Sequence, residues 1–156
     1  MKRFLLVTFL ILFTLTAYAR PDSLQGVDTA KFVVDLNQAR ANILKTRLSL
    51  ILETMDNIED YAVKTTVVVA VRGPDSRFMT VNDSYIAPGD IELKADIAEL
   101  LDKLVKRGVK LEQCAVALRM LNISKKDINP QIQVVKNGYV SLIGYQNKGY
   151  AILPME

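Results

Sequence analysis

The sequence has 156 residues, half of them hydrophobic, and carries a formal net charge of +3 with one cysteine and no histidine. Without histidine the chain lacks Ser-His-Asp and Cys-His catalytic pairs, histidine-ligated zinc or haem, and imidazole acid–base catalysis. One cysteine cannot form an internal disulfide, and so small a net charge excludes the basic footprint typical of nucleic-acid binding. We therefore expect no nucleic-acid partner.

Residues 1–19 have the features of a secretory signal peptide. Lys2 and Arg3 precede an apolar stretch over residues 4–16, and Ala-Tyr-Ala at 17–19 matches a small-x-small cleavage site. The apolar stretch is shorter than the roughly 20 residues that a membrane-spanning helix needs. We therefore expect cleavage after residue 19, no stable membrane anchor afterwards, and a bacterial periplasmic or secreted location.

The remaining chain has the size of one domain. Cleavage discards Lys2 and Arg3 from the 20 basic residues, which leaves 18 against 17 acidic residues, a net charge of +1. About 137 residues would remain, and nothing in their composition marks a linker. The expected organisation is a signal peptide over residues 1–19, a flexible polar leader over 20–30 and a single domain over 31–156.

The domain opens with two predicted strands around one long helix. Residues 31–36 contain a continuous Phe-Val-Val run, which suits a strand covered on both faces, as in parallel sheets. A helix is predicted over residues 38–57 with Asn37 as its N-cap, because apolar residues recur there at spacings of four, three and four. Residues 61–73 give the strongest strand signal, with three consecutive valines before a Gly-Pro pair.

The middle of the domain combines a long loop with a well-marked helix. Residues 74–89 are predicted to be irregular, with a short helix near 76–81, and a loop of this length beside a buried strand is typical of functional segments. A helix is predicted over 90–108, with Asp90 as its cap and Gly108 as its left-handed stop.

The last third continues the same alternation of elements. Strands are predicted over residues 109–114, 132–136 and 150–154, and helices over 115–121 and 139–148. Strands that alternate with helices along the whole chain predict a three-layer α/β/α sandwich with a mainly parallel sheet of about five strands.

Candidate site residues follow from the predicted strand ends. In open parallel sheets, ligands bind outside the carboxyl ends of the strands. One of the residues at these positions, a cysteine, is a nucleophile, and the others are candidate binding residues. The positions are Asn37, Arg72, Gly73, Cys114, Asn137 and its neighbour Gly138.

Cys114 has two interpretations from the residues around it. It ends a predicted strand directly before a helix that starts at Ala115, and the positive end of a helix favours the reactive thiolate form. Cysteine is also among the most buried residue types, and residues 115–118 are apolar, which is typical of a packed and unreactive thiol. Pattern alone leaves both interpretations open.

Other sequence features give weaker signals. No G-x-G-x-x-G follows the first strand, so a dinucleotide site is not expected. Gly138 and Gly149 are interpreted as glycines that terminate elements. The acidic residues within 56–60 lack the spacing of a calcium loop and are interpreted as a solvated turn. We therefore expect neither a cofactor nor a metal ion.

The order of elements also matches a known family. A strand that ends in Cys114 is followed by a short helix, a D-(I/L)-x-P turn at residues 127–130, a valine-rich strand at 132–136 and a closing Q-x-x-G-Y-A at 146–151. The strand at 31–36 and its long helix look like the family's opening. In these features the chain resembles the exported, single-domain members of the DsrE/DsrF-like family of sulfur-transfer proteins, over essentially the whole mature chain.

The resemblance implies a three-layer α/β fold in small homo- or hetero-oligomers and a cysteine that carries sulfur as a persulfide. Cys114 is the one residue that matches this acceptor. Arg72 or Asn37, which come from the strand-end positions, are its expected electrostatic or hydrogen-bonding neighbours. The expected function is thus an exported sulfur relay in a homo-oligomer. A second cysteine to resolve a disulfide is absent, so a sulfur-donor or sulfur-acceptor protein is the expected partner.

Two alternatives remain open on sequence grounds. The protein could be a non-catalytic oligomeric module that binds a ligand or another protein, with Cys114 merely packed. It could also be an exported redox sensor that forms an intersubunit disulfide through Cys114. The accessibility and reactivity of this thiol distinguish these possibilities.

Overall fold

The computed structural model describes residues 21–156, which form one sheet and four α-helices. The predicted signal peptide, residues 1–19, lies outside the described residues and stays a prediction. The strands are β1 (Thr29–Leu36), β2 (Lys64–Val71), β3 (Lys110–Cys114), β4 (Gln133–Val135) and β5 (Ala151–Met155). The helices are α1 (Ala41–Glu59), α2 (Ile91–Lys106), α3 (Ala115–Met120) and α4 (Gly138–Asn147).

All neighbouring strands of the sheet are parallel, in the order β4-β3-β2-β1-β5. Parallel strands need a crossover connection, which the helices between successive strands supply. The central pair, β1 and β2, runs in register over eight residues, from Thr29 opposite Lys64 to Leu36 opposite Val71. Because every strand points the same way, the carboxyl ends of the strands meet at one edge of the sheet.

The larger core lies between the sheet and helices α1 and α2. Alternate side chains of β1 and β2, such as Val34 and Val69, point to this face and are fully buried. They belong to one cluster with Leu44 and Leu48 of α1 and Ile97 of α2. Two long amphipathic helices therefore cover this face of the sheet.

The opposite face has a much smaller core. Val33, Val68 and Ala70 alternate with the residues of the larger core, as strand geometry requires, and pack against Leu142 of α4. Helices on both faces of a five-stranded sheet confirm the predicted three-layer α/β/α sandwich. The helical layer on this face consists of α4, a helix of ten residues.

Two details of the predicted helix starts are wrong. Asn37 is not the N-cap of α1, which begins at Ala41, because residues 37–40 form a loop anchored elsewhere: Gln38 N donates to Asp75 Oδ2 at 2.6 Å. Asp90 occupies the N-cap position of α2 without a capping bond from its side chain, because a 3-10 turn over Pro88–Asp90 leads directly into the helix.

The other predicted boundaries lie close to those of the structure. The short helix expected near residues 76–81 is a 3-10 helix over Gly73–Met79, and Gly108 has the left-handed φ of 80° expected of a helix stop. β1 begins at Thr29, so the last two residues of the predicted leader, 20–30, belong to the sheet. Among residues 21–156, no helix has the length and apolar content that crossing a membrane requires.

Leu142 carries the contact between α4 and the sheet, so its truncation tests the importance of the smaller core. We expect Leu142→Ala to lower the free energy of unfolding by about 2–3 kcal/mol, because it leaves a cavity above Val33 and Val68. Gln146→Ala is the matched control on the same helix, since Gln146 is exposed and should change stability by under about 0.5 kcal/mol. Urea denaturation measures both, and equal losses would contradict this assignment.

Candidate functional site

A cavity of about 460 Å³ opens at the carboxyl edge of the sheet. The loops after β1 and β2, helix α3 and the start of α4 contribute to its walls. Five of the six residues that the strand-end rule selected line this cavity, all except Gly138, and their functional roles remain predictions. They are Asn37, Arg72, Gly73, Cys114 and Asn137.

Cys114 lies where two helices begin. It is the last residue of β3, and α3 starts at Ala115, as predicted. The start of α4 packs against the same side chain: a Cβ placed on Gly138 would lie 3.2 Å from Cys114 Cβ and 3.6 Å from its Sγ. Glycine therefore allows a close approach of the α4 backbone to the thiol, although Cys114 is only 5% exposed.

Asn137 fixes this helix start rather than projecting freely into the cavity. Its Oδ1 accepts a hydrogen bond from Tyr139 N at 3.0 Å, and its carbonyl oxygen accepts from Val140 N at 3.1 Å. This is an ordinary N-cap, and it orients the positive end of α4 toward Cys114. The interpretation of Gly138 as a residue that ends an element was wrong, because Gly138 is the first residue of α4.

Arg72 is held by a carboxylate that the sequence analysis did not select. Its Nε and Nη2 donate to the two oxygens of Asp35 at 2.5 and 2.8 Å, a bidentate pair with both side chains largely buried. Nη2 also donates to Glu156 at 3.1 Å, and Nη1 donates to the Tyr139 hydroxyl at 3.2 Å. The hydrogen bonds to Asp35 raise the pKa of the guanidinium against the opposing effect of burial. Its charge is therefore balanced within the protein.

Gly73 and Asn37 form one wall of the cavity through a tight contact. Gly73 has a φ of 65°, and a Cβ there would lie 2.0 Å from Asn37 Oδ1. Both the conformation and the space require glycine at this position. The structure thus places Gly73 as a turn that lets the loop after β2 pass Asn37, at the beginning of the 3-10 helix Gly73–Met79.

Comparison with known proteins assigns the family. The model of the DsrE/DsrF-like family matches residues 11–155. The chain belongs to the DsrE/DsrF-like family. None of the curated proteins compared matches this family member significantly.

Two solved structures share the fold of this DsrE/DsrF-like protein. One is the protein of unknown function MTH1491 from Methanobacterium thermoautotrophicum, with a TM-score of 0.64 and 15% identity, and the other is the ychN protein from E. coli, with a TM-score of 0.52 and 14% identity. Each comparison covers 80% of this chain and 98% of the other. At these identities the similarity shows the fold alone.

A buried polar cluster supports the cavity of this DsrE/DsrF-like protein from below. Asp75, Ser76 and Gln113 are completely buried. Gln113 Nε2 donates to Ser76 Oγ at 2.7 Å and to the carbonyl oxygen of Cys114 at 3.1 Å, and Ser76 Oγ donates to the carbonyl oxygen of Gly73 at 2.8 Å. The cluster therefore connects the strand end that carries Cys114 to the turn at Gly73.

Asp75 is the titratable member of this cluster. Burial raises its pKa to about 7, although the hydrogen bond from Gln38 N acts in the opposite direction. The sequence analysis missed Asp75 because it lies in the segment interpreted as irregular. Its only sequence signal is an acidic residue directly after the Gly-Pro pair that ends β2.

A second cavity, of about 410 Å³, lies on the other side of α4. Its lining includes Glu112 and Tyr145, and Tyr145 donates to Glu112 at 2.8 Å while Lys110 pairs with the same carboxylate oxygen at 2.8 Å. Burial acts to raise the pKa of Glu112, but the hydrogen bonds from Lys110, Ser141 and Tyr145 outweigh it and lower the value. Within residues 21–156, no cluster of three or more histidine, cysteine or acidic side chains could hold a metal ion.

The stability of the protein should depend on pH through Asp75. The pKa of Asp75 is about 7 in the folded protein and 3.8 in an unfolded chain. Between pH 3.8 and 7 the folded state therefore holds a proton that the unfolded state has lost. The contribution of Asp75 to stability is therefore complete below about pH 4 and falls by a few kcal/mol as the pH rises to about 7.

Urea denaturation of the wild type and of Asp75→Asn across this range measures the effect. We expect the decline with rising pH to be absent in Asp75→Asn, which cannot ionise, and retained in Asp102→Asn, which alters an exposed carboxyl on α2. The same decline in Asp75→Asn as in the wild type would show that another group is responsible.

Removing only one partner of the ion pair between Arg72 and Asp35 should destabilise the protein strongly. We expect Arg72→Gln to cost about 3 kcal/mol in the free energy of unfolding, because it leaves Asp35 buried without its partner. Adding Asp35→Asn should recover much of this loss. Lys45→Gln, which breaks the half-exposed pair with Asp96, is the control and should have a much smaller effect. A double variant less stable than Arg72→Gln would contradict the pairing argument.

Proposed function

We propose that this protein is an exported sulfur-relay protein in which Cys114 accepts sulfur as a persulfide and passes it to a partner. The observation that carries the proposal is the position of Cys114, the sole cysteine, at the wall of a 460 Å³ cavity where α3 and α4 both begin. The first residues of two helices lie beside this sulfur, and a cysteine sulfur attacks another sulfur as the thiolate. Membership of the DsrE/DsrF-like family supports sulfur-transfer chemistry.

The transfer step needs no oxidant or reductant. The thiolate of Cys114 attacks the outer sulfur of a donor persulfide, a new S–S bond forms, and the S–S bond of the donor breaks. The electron pair of the broken bond stays on the inner sulfur of the donor, which leaves as a thiol with the proton of the outer sulfur. Cys114 retains the persulfide, and an acceptor thiol removes the outer sulfur by the same exchange.

The proposal includes a location and partners. The signal-like N-terminus supports export, and the single cysteine supports a separate protein as sulfur donor or acceptor, since the chain cannot resolve a disulfide by itself. Val140 and Ile143 of α4 are 66% and 60% exposed, and such apolar side chains support a homo-oligomer in which this face meets another copy.

The burial of Cys114 favours a second candidate function. At 5% exposure, with Ala117 and Leu118 buried close by in α3, the thiol also fits the interior of a binding module that performs no sulfur chemistry. The two functions differ in how the folded protein reacts with small thiol reagents.

The first test is the reaction of the folded mature chain with iodoacetamide and with an excess of a small organic persulfide. We expect Cys114 to be alkylated without unfolding, and we expect an adduct heavier by one sulfur that a reductant removes. Mass spectrometry measures both, with Cys114→Ser as the blank. Alkylation that requires denaturant, together with no sulfur adduct, would establish the binding module instead.

A pair of glycine variants on one helix relates this reactivity to the site. Gly138→Ala should slow adduct formation several-fold, because its Cβ would crowd Cys114 at 3.2 Å. Gly144→Ala should leave the rate unchanged, since a Cβ at Gly144 meets no atom within 4 Å. Equal rates in both variants would show that the approach of α4 to Cys114 has no part in the reaction.

A further inference from the structure

The cavity beside Cys114 is walled mainly by apolar side chains. Of its eleven lining residues, one carries a formal charge, Arg72. The wall that α3 and the residue after it contribute is apolar throughout: Val116, Ala117, Met120 and Leu121. Asn37 and Asn137 are polar but neutral. A group that enters this cavity therefore leaves water and contacts apolar side chains and the two side-chain amides of Asn37 and Asn137.

The charge of Arg72 is not free to hold an anion. Asp35 occupies its Nε and Nη2 edge in a bidentate pair, and Glu156 adds a second carboxylate at 3.1 Å. The ring of Tyr139 lies over the guanidinium at 4.9 Å. Asp35 and Glu156 thus balance the charge of Arg72, so little positive charge remains to bind a further anion.

The start of α4 favours one negative charge and has little left for a second. Asn137 Oδ1 accepts from Tyr139 N, and the Asn137 carbonyl oxygen accepts from Val140 N and Ser141 N. The helix start packs directly against Cys114, so the charge it favours is that of the thiolate or of the persulfide formed on it. A donor with a negatively charged substituent would bring an additional negative charge to the same small space without a cation to balance it.

The rim of the cavity also fits an apolar substituent. Met120 is 76% exposed and Tyr139 is 56% exposed, and both line the cavity. Exposed apolar side chains at the mouth of a pocket gain stability when an apolar ligand covers them, and methionine adapts its shape readily. Met120 and Tyr139 therefore offer apolar surface that an apolar donor substituent would cover.

We propose that the Cys114 cavity takes its sulfur from persulfides whose organic substituent is neutral and apolar, and that it discriminates against substituents that carry a negative charge. The inference rests on the proposed function, because it concerns the donor of the same sulfur-transfer step. The balance of that step is unchanged: the outer sulfur passes to Cys114, and the donor leaves as its thiol.

The test compares two donors that differ by one charge, the persulfides of N-acetylcysteine amide and of N-acetylcysteine. The rate of adduct formation on Cys114 is measured by mass spectrometry in the folded protein and divided by the rate in the protein unfolded in urea, which corrects for the reactivity of the donor itself. We expect the neutral donor to be preferred by roughly tenfold, the effect of one unfavourable charge at a partly buried site.

Two lysine variants test the origin of the preference. Met120→Lys places a cation at the exposed rim and should reduce or invert the preference for the neutral donor. Val81→Lys is the matched control: Val81 is 62% exposed and lies outside the lining of the cavity, so the preference should remain as in the wild type. An unchanged preference in Met120→Lys would overturn the assignment of discrimination to this wall.

The outcomes separate the inference from the proposed function. Equal corrected rates for both donors, or a faster reaction with the charged one, would overturn the selectivity and leave the relay function standing. The absence of a sulfur adduct with both donors would overturn the proposed function and the inference together.

Discussion

The ion pair between Arg72 and Asp35 is the interaction on which the site end of the molecule depends. The face of the sheet beneath α4 has a small apolar core, Val33, Val68 and Ala70 against Leu142, which cannot by itself determine where the first turn of the helix lies. Arg72 reaches from the end of β2 to Asp35 of β1 and at the same time contacts both the hydroxyl and the ring of Tyr139. Through this pair the sheet holds the start of α4, and the start of α4 holds Gly138 against Cys114.

Burial and chemical availability are separate properties of Cys114. Its low exposure follows from the packing of Gly138 on one side and of α3 on the other, and both neighbours begin helices at the sulfur. Cys114 differs from a thiol buried in the larger core, because the glycine backbone that begins α4 forms part of its surroundings. Cys114 also lines the cavity, and the proposed reaction would take place from that side.

The strand-end rule selected residues that share one cavity because the rule depends only on topology. Once the alternation of strands and helices predicts a parallel sheet, the ends of the strands meet at one edge, and the loops after β1 and β2 and the end of β3 bring Asn37, Arg72 and Cys114 to one cavity. Asp35 escaped notice because it belongs to the strand itself, and its partner comes from the next strand along the sheet. Asn37 was misplaced as an N-cap because capping is a local signal, whereas a tertiary contact between Gln38 and Asp75 decides where α1 begins.

The electrostatics of the cavity separate what this chain shares with its family from what its own residues add. The match to the DsrE/DsrF-like family extends over residues 11–155, and the fold brings the end of β3 and the start of α3 to the carboxyl edge of the sheet. The choice of reactant depends on side chains that topology does not determine. Here the nearest cation is balanced by Asp35 and Glu156 and the facing wall is apolar, so the site is arranged for a single negative charge. In the proposed relay this charge belongs to the sulfur of Cys114, so the proposed selectivity would follow from the same contacts that position the thiol.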